Sequence, residues 1–385
     1  MVDKAVLAAL VAFAVAAALT PLAARFAKRI GAVDELKERG LAQRAVPLLG
    51  GLAIFGGALV AGVLFLPDNE RTEGILAAAA LITLVGAIDD VFDLHPGIKL
   101  LGQIAAAIVL VTSGVEVDAF TFPFVHRVEL GDFGGPLTVL ALVALMNIVN
   151  FSDGVDGLAA GVCAIAALAF SIIAFDLGRD TAGILAAIIC GAALGFLIFN
   201  FHPAQVFMGD CGAMLLGLLL GAAIIEGSLK TNALIALIGP LVVLAVPFLD
   251  TSFVVAKRLK YRRVPWRGDS NHFHHRFHRM GFSQTRTVLY LYAWTFVMAG
   301  LAVALRFIPY SESSGELNTG WAILMGALLL GGVAASIYLI YVLEILKLRR
   351  LRAWQMRRAD PDTSEHQIDE QVERELETGE FRSLA

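Results

Sequence analysis

Three stretches of this chain, Ala5–Ala24, Gly183–Phe199 and Gly212–Ile225, contain no Asp, Glu, Lys or Arg. Nothing else in the sequence constrains the fold as strongly. A bilayer core about 30 Å thick is crossed by roughly 20 apolar helical residues. No water is available there to satisfy a backbone group left outside a helix or a closed barrel. Composition agrees: of 385 residues, 58% are hydrophobic and 17% charged, whereas soluble domains are about a quarter charged. The chain therefore reads as all-α, a polytopic transmembrane helical bundle of about eleven spans. These lie near residues 4–24, 46–66, 74–90, 98–114, 134–151, 157–175, 182–200, 211–227, 232–254, 285–308 and 320–346. Residues 1–350 form the membrane catalytic domain, and 351–385 a cytoplasmic tail that is disordered or weakly helical.

Basic residues set the expected orientation. Arg25, Lys28, Arg29, Lys37, Arg39 and Arg44 lie between spans 1 and 2, and Lys257, Arg258, Lys260, Arg262, Arg263, Arg267, Arg276 and Arg279 between spans 9 and 10. The opposite connections carry single basic residues such as Arg71, Arg127 or Arg179. The positive-inside rule makes the basic side cytoplasmic, with the N-terminus outside and the C-terminus inside. The first span is too long for the apolar core of a leader peptide and reads as an uncleaved anchor. Val115–Val117 and Val128–Leu130 are expected to form a small hairpin between spans 4 and 5. Cys163, Cys190 and Cys211 fit neither a disulfide framework nor a zinc template.

Polar clusters interrupt the apolar pattern on the expected cytoplasmic side, where ionisable residues near a membrane are costly and usually functional. The first is Gly86-Ala87-Ile88-Asp89-Asp90-Val91-Phe92-Asp93. On a helix, Asp89 and Asp93 share a face, and carboxylates this close demand a proton or a hard cation such as Mg²⁺. A solvated acidic helix end is the plain alternative. The second runs from Asn147 through Asn150, Asp153, Gly154 and Asp156 to Gly157, far richer than a helix–helix turn requires. The third, Phe207-Met208-Gly209-Asp210-Cys211-Gly212, puts Asp210 at a helix start. Asp210 there is either a simple cap or part of a nucleotide site, with Phe207 available to stack on a base.

The fourth cluster, Arg267-Gly268-Asp269-Ser270-Asn271-His272-Phe273-His274-His275-Arg276, lacks the Cys or Glu that would complete a zinc site. His272, His274, His275 and Arg276 are better suited to donate to phosphates. Arg44, before Pro47-Leu48-Leu49-Gly50-Gly51, is either helix punctuation or a further phosphate contact. Carboxylates for Mg²⁺, donors for phosphate and an aromatic for a base together fit a nucleoside-diphosphate substrate. A membrane setting without a large soluble domain favours a lipid as the second substrate, and transfer between the two is mostly positioning and charge neutralisation. A transporter or lipid flippase is the rival reading, but such sites lie near the bilayer midplane. An intramembrane metalloprotease would need an H-E-x-x-H helix, which is absent from the sequence. No nucleic-acid partner is implied.

These motifs, in this order and between these spans, resemble the polyprenyl-phosphate N-acetylhexosamine-1-phosphate transferases (glycosyltransferase family 4) over about residues 40–290. The resemblance implies transfer of a sugar-1-phosphate from a UDP-N-acetylhexosamine to undecaprenyl phosphate, with release of UMP. It also implies Mg²⁺ dependence, with Mn²⁺ as an acceptable substitute, and a multi-pass enzyme of the bacterial inner membrane whose site faces the cytoplasm. A homodimer is compatible with it. By motif, Asp89, Asp90, His274 and His275 take the catalytic positions, and Asp210 with Asp153 the metal positions. Asn147, Asn150, Asp153, Asp156, Phe207, His272, Arg276 and Arg44 take the substrate positions. Phospho-MurNAc-pentapeptide transferases are also similar, but they typically carry a continuous His-His-His after Pro-Leu, where this chain reads His272-Phe273-His274-His275. The pattern looks more like the group that starts O-antigen, teichoic-acid or related glycans with GlcNAc-1-phosphate.

Overall fold

The computed structural model describes residues 1–34, 46–121, 127–228, 284–307, 318–341 and 347–378. Two compact units divide the chain, one of Met1–Phe248 with Val288–Pro309, the other of Leu249–Thr287 with Tyr310–Ala385. The first contains α1 (Val2–Ile30), α2 (Gly51–Phe65), α3 (Glu70–Phe92), α4 (Pro96–Thr112), α5 (Gly134–Ser152), α6 (Leu158–Asp176), α7 (Asp180–Asn200) and α8 (Gly209–Ser228). It also takes most of α9 (Gln284–Phe307) and two short antiparallel pairs, β1 (Val33–Asp34) with β2 (Val46–Pro47) and β3 (Ala119–Thr121) with β4 (Arg127–Glu129).

Every expected span within the described residues coincides with a helix, while the one at 232–254 lies outside them. Eight of the described helices are long and apolar enough to cross a bilayer. The two shorter ones, α2 and α4, have 15 and 17 residues. The expected span from residue 46 is shortened because its first residues are extended. Val46 and Pro47 pair with Asp34 and Val33, and the Gly50 and Gly51 amides donate to the carbonyls of Phe207 and Met208, both at 2.9 Å. The hairpin also starts later than expected. Gly114 adopts φ +83°, and the Val115 amide turns back to the Leu110 carbonyl at 3.1 Å. Val115 thus closes α4 in a left-handed cap rather than opening a strand.

The first unit is built from the inside out relative to a soluble protein. Large apolar side chains such as Leu7, Leu10, Phe26, Leu64, Leu84 and Leu140 face outward. The buried centre is α6, α7 and α8. Lipid competes for apolar contact, so helices in a bilayer associate through close packing at small residues. A Cβ at Gly191 or Gly195 of α7 would overlap the Ala9 or Phe13 carbonyl of α1, and one at Gly217 of α8 would run into the Met146 backbone of α5.

In the second unit lie α10 (Thr319–Tyr341), α11 (Lys347–Ala359) and α12 (Glu365–Thr378). Ile368 and Val372 of α12, one turn apart, are buried against Ala353 and Met356 of α11. Arg357 pairs with Glu365 across the turn at 3.7 Å.

Candidate active site

The acidic end of α3 meets the start of α8 closely because α3 carries no side chain where they cross: a Cβ at Gly86 would run into the Cys211 backbone. At the neighbouring contact of α2 with α8, a Cβ at Gly51 would run into Gly212. Gly209 adopts φ +67°, and a side chain there would strike the Asp90 carboxylate. With the way clear, Asp90 accepts the Asp210 amide at Oδ1 (2.7 Å) and the Cys211 amide at Oδ2 (3.2 Å). The first amides of a helix have no partner within it. Asp90 therefore caps α8 from another helix and commits both of its oxygens to that task.

Asp89 points elsewhere. Its Oδ1 accepts the Leu94 amide at 2.9 Å, and its Oδ2 lies 3.2 Å from Lys99 Nζ. Lys99 sits in the first turn of α4, whose start is set by Pro96 and by His95, which accepts the Gly97 amide at Nδ1 (3.2 Å). The same ammonium contacts Asp210 Oδ2. With its amide oriented to satisfy both ends, Asn150 donates to Asp210 Oδ1 at 2.8 Å and accepts from Lys99 Nζ at 3.0 Å. One cation thus gathers residues from α3, α4, α5 and α8. Their side chains are shielded but reachable, with Lys99 18%, Asp89 11% and Asp210 25% exposed.

The α5–α6 connection is fastened to the α7–α8 connection. Asp156 Oδ2 pairs with His202 Nδ1 at 2.7 Å and accepts the Ala204 amide at 3.1 Å. Asn200, fully buried, accepts the Gly157 amide at 3.0 Å and donates to the Val206 carbonyl at 2.9 Å. Asp153 has its carboxyl held well above the ordinary carboxylate range, chiefly by burial and further by repulsion from Asp90 and Asp156. Asn147 lies a turn below Asn150, donating to Gln103 Oε1 at 2.7 Å and to the Val143 carbonyl at 2.8 Å. Phe207 is half-buried, its amide donating to the Pro47 carbonyl at 2.9 Å.

Asp89, Asp90, Asn150 and Asp210 therefore converge, with Asp153 in electrostatic reach. Asp156 and Asn147 are engaged in holding the surrounding loops and helices. Arg44, His272, His274, His275 and Arg276 lie outside the described residues. Sequence reasoning assigned no role to Lys99, Gln103, Asn200 or His202, although Asn200-Phe201-His202-Pro203 leads into the third cluster. A lone Lys ten residues after an acidic pair, at the start of an apolar helix, was the available signal for Lys99.

Among the described residues, no three His, Cys, Asp or Glu side chains are grouped to hold a metal ion. Mg²⁺ does not require such a cage, since it is commonly bound by one or two carboxylates together with substrate phosphates and water. The donor set fits that pattern: Asp210 already meets one cationic group, the Lys99 ammonium, and the buried Asp153 carboxyl lies under repulsion from Asp90 and Asp156 that a cation would relieve.

The model of glycosyl transferase family 4 matches residues 73–228, from the first turn of α3 to the end of α8. A probable undecaprenyl-phosphate N-acetylglucosaminyl 1-phosphate transferase of Bacillus subtilis is 36% identical over 80% of this chain and 87% of its own length. The chain belongs to this family. Other glycosyl transferase family 4 relatives extend the pattern. A decaprenyl-phosphate N-acetylglucosaminephosphotransferase of Mycobacterium leprae is 36% identical over 83% of this chain and 87% of its own. An undecaprenyl-phosphate alpha-N-acetylglucosaminyl 1-phosphate transferase of Escherichia coli is 27% identical over 74% and 77%. Within the family match fall all the described site residues, from Asp89 to Asp210.

Proposed function

We propose that this family 4 enzyme transfers GlcNAc-1-phosphate from UDP-GlcNAc to undecaprenyl phosphate, releasing UMP and beginning a lipid-linked surface glycan. The observation that carries the reading is the Lys99 junction, where Asp89, Asp210 and Asn150 meet at helix ends, in a chain that matches N-acetylglucosaminyl 1-phosphate transferases over most of its length. A phosphate oxygen of the lipid attacks the β-phosphorus of the UDP-sugar. The bond from that phosphorus to the bridging oxygen breaks, and UMP carries away the electron pair. Asp89, held by the Leu94 amide and Lys99, orients the acceptor or takes its last proton. Lys99 offsets negative charge gathering on the phosphates, and Asn150 keeps Asp210 and Lys99 in register. Preorganised charge of this kind is commonly the largest contribution to such catalysis.

Mg²⁺ would be held by Asp210 and Asp153, and when bound it neutralises the diphosphate. His272, His274, His275 and Arg276 would donate to the same phosphates, and Phe207 would stack on uracil. The chain crosses the bacterial inner membrane about eleven times, N-terminus outside, with the site on the cytoplasmic face. A water-soluble UDP-sugar meets a membrane-anchored phosphate at that level. The deciding assay supplies purified enzyme in lipid with undecaprenyl phosphate, Mg²⁺ and a panel of radiolabelled UDP-sugars, including UDP-MurNAc-pentapeptide. Labelled lipid from UDP-GlcNAc, lost in EDTA, is expected; labelling by the pentapeptide donor alone would assign the chain to peptidoglycan synthesis instead.

A further inference from the structure

We propose that Tyr292, on α9, is a positioning residue for the loop bearing Asp153 and Asp156. The connection from α5 to α6 turns at Gly157, which adopts φ +79°, a left-handed conformation that a side chain would strain. The Gly157 peptide groups are held on both sides. Its amide donates to the buried Asn200 Oδ1 at 3.0 Å, and its carbonyl accepts the Tyr292 hydroxyl. Space for the phenol is created one turn further on, where a Cβ at Gly161 would overlap the Tyr292 ring. At Gly157 itself a Cβ would lie 3.3 Å from the Tyr292 oxygen and 3.3 Å from Phe201. Two glycines one helical turn apart thus form a slot that delivers a single hydroxyl to a single carbonyl.

The slot makes a division of labour within Asp153-Gly154-Val155-Asp156-Gly157. Asp156 is engaged with His202 and the Ala204 amide, and Gly157 with Asn200 and Tyr292, so the second half of the motif is scaffold. Asp153 receives no such anchor from these groups, and its aim depends on how firmly that scaffold is held. The Tyr292 hydroxyl is committed to the Gly157 carbonyl, so its influence reaches the site through the loop.

The kinetic test rests on the donor reading proposed above. In full-length enzyme in lipid nanodiscs, Tyr292→Phe removes only the hydroxyl. The KM for UDP-GlcNAc is expected to rise about tenfold, the scale of one hydrogen bond, with kcat and the KM for undecaprenyl phosphate unchanged. A fall in kcat with both KM values unchanged would mark a merely structural role and overturn the proposal. Hydrogen exchange supplies a readout independent of turnover. The variant should exchange faster across residues 153–161 but not across 89–99, and equal exchange in both proteins would also overturn it. Wild-type enzyme that transfers nothing from UDP-GlcNAc counts against the donor reading alone, and exchange then decides the role of Tyr292.

Discussion

The helices α3 and α8 run antiparallel, and their two junctions handle charge in opposite ways. At one end Arg71, in the first turn of α3, meets Glu226, in the last turns of α8, at 3.4 Å. Near the same level Arg306 closes on Asp176 at 2.6 Å. Each of these two acids has a basic partner. At the other junction, Asp89, Asp90, Asp153, Asp156 and Asp210 share Lys99 and His202 among the described contacts. A structural ion pair needs only its opposite. A surplus of carboxylates beside a membrane is costly and is stabilised only when a cation, proton or ligand arrives. The difference separates charge that ties helices together from charge held ready for a substrate.

The most severe way to break this comparison is Asp210→Asn, which keeps the shape and hydrogen-bonding reach of the side chain but removes its charge. Release of UMP from UDP-GlcNAc should fall by roughly a thousandfold, at the upper range for losing a preorganised charge-stabilising group. Folding should be retained, because Asp90 accepts the residue 210 amide rather than its side chain. Near-normal turnover would mean that the carboxylate surplus is not what the reaction uses.

Lys99→Met comes next, with an expected loss of about a hundredfold in kcat and retention of the long apolar stem. Lys99→Arg should recover part of it, since charge is restored while the compact ammonium geometry is not. Equal activity of the Met and Arg variants would show that Lys99 merely separates two acids. Gly209→Ala tests the geometry instead of the charge. A left-handed conformation costs a non-glycine residue about 1–2 kcal/mol, and the new methyl strikes the Asp90 carboxylate. A drop in melting temperature with roughly tenfold slower transfer is expected; an unaltered enzyme would show that the Asp90 cap is dispensable.

These variants also mark what was legible in the sequence. Charge-free runs disclosed the helices, because the bilayer leaves few other solutions. Clustered Asp, Asn and Gly marked which helix ends carry the chemistry. What the motifs did not disclose is which group each polar residue faces. Asp89 and Asp90 are adjacent and looked equivalent, yet one meets Lys99 and the other caps a helix 120 residues away. Asn147 and Asn150 share a helix face, but Asn147 spends its amide on Gln103, 44 residues distant. Lys99 was missed because a single Lys after Pro96 resembles ordinary helix punctuation. Partners that far apart are set by how helices cross, and here the crossings depend on Gly86, Gly51 and Gly209 lacking side chains.

The smallest expected effect belongs to the opposite junction, and it tests the comparison from that side. Arg71→Ala removes the partner of Glu226, whose side chain is 9% exposed while that of Arg71 is 47% exposed. A pair with one solvated member contributes about 0–1 kcal/mol, and Arg179 remains within electrostatic reach of the abandoned carboxylate. The melting temperature should fall slightly, and both KM values and kcat should match those of the wild type. The same neutrality is expected of Glu226→Gln. If Arg71→Ala instead slowed UMP release as much as Lys99→Met, the two ends of α3 and α8 would be coupled through the helices. Charge matching at one end would then be part of how the other end works.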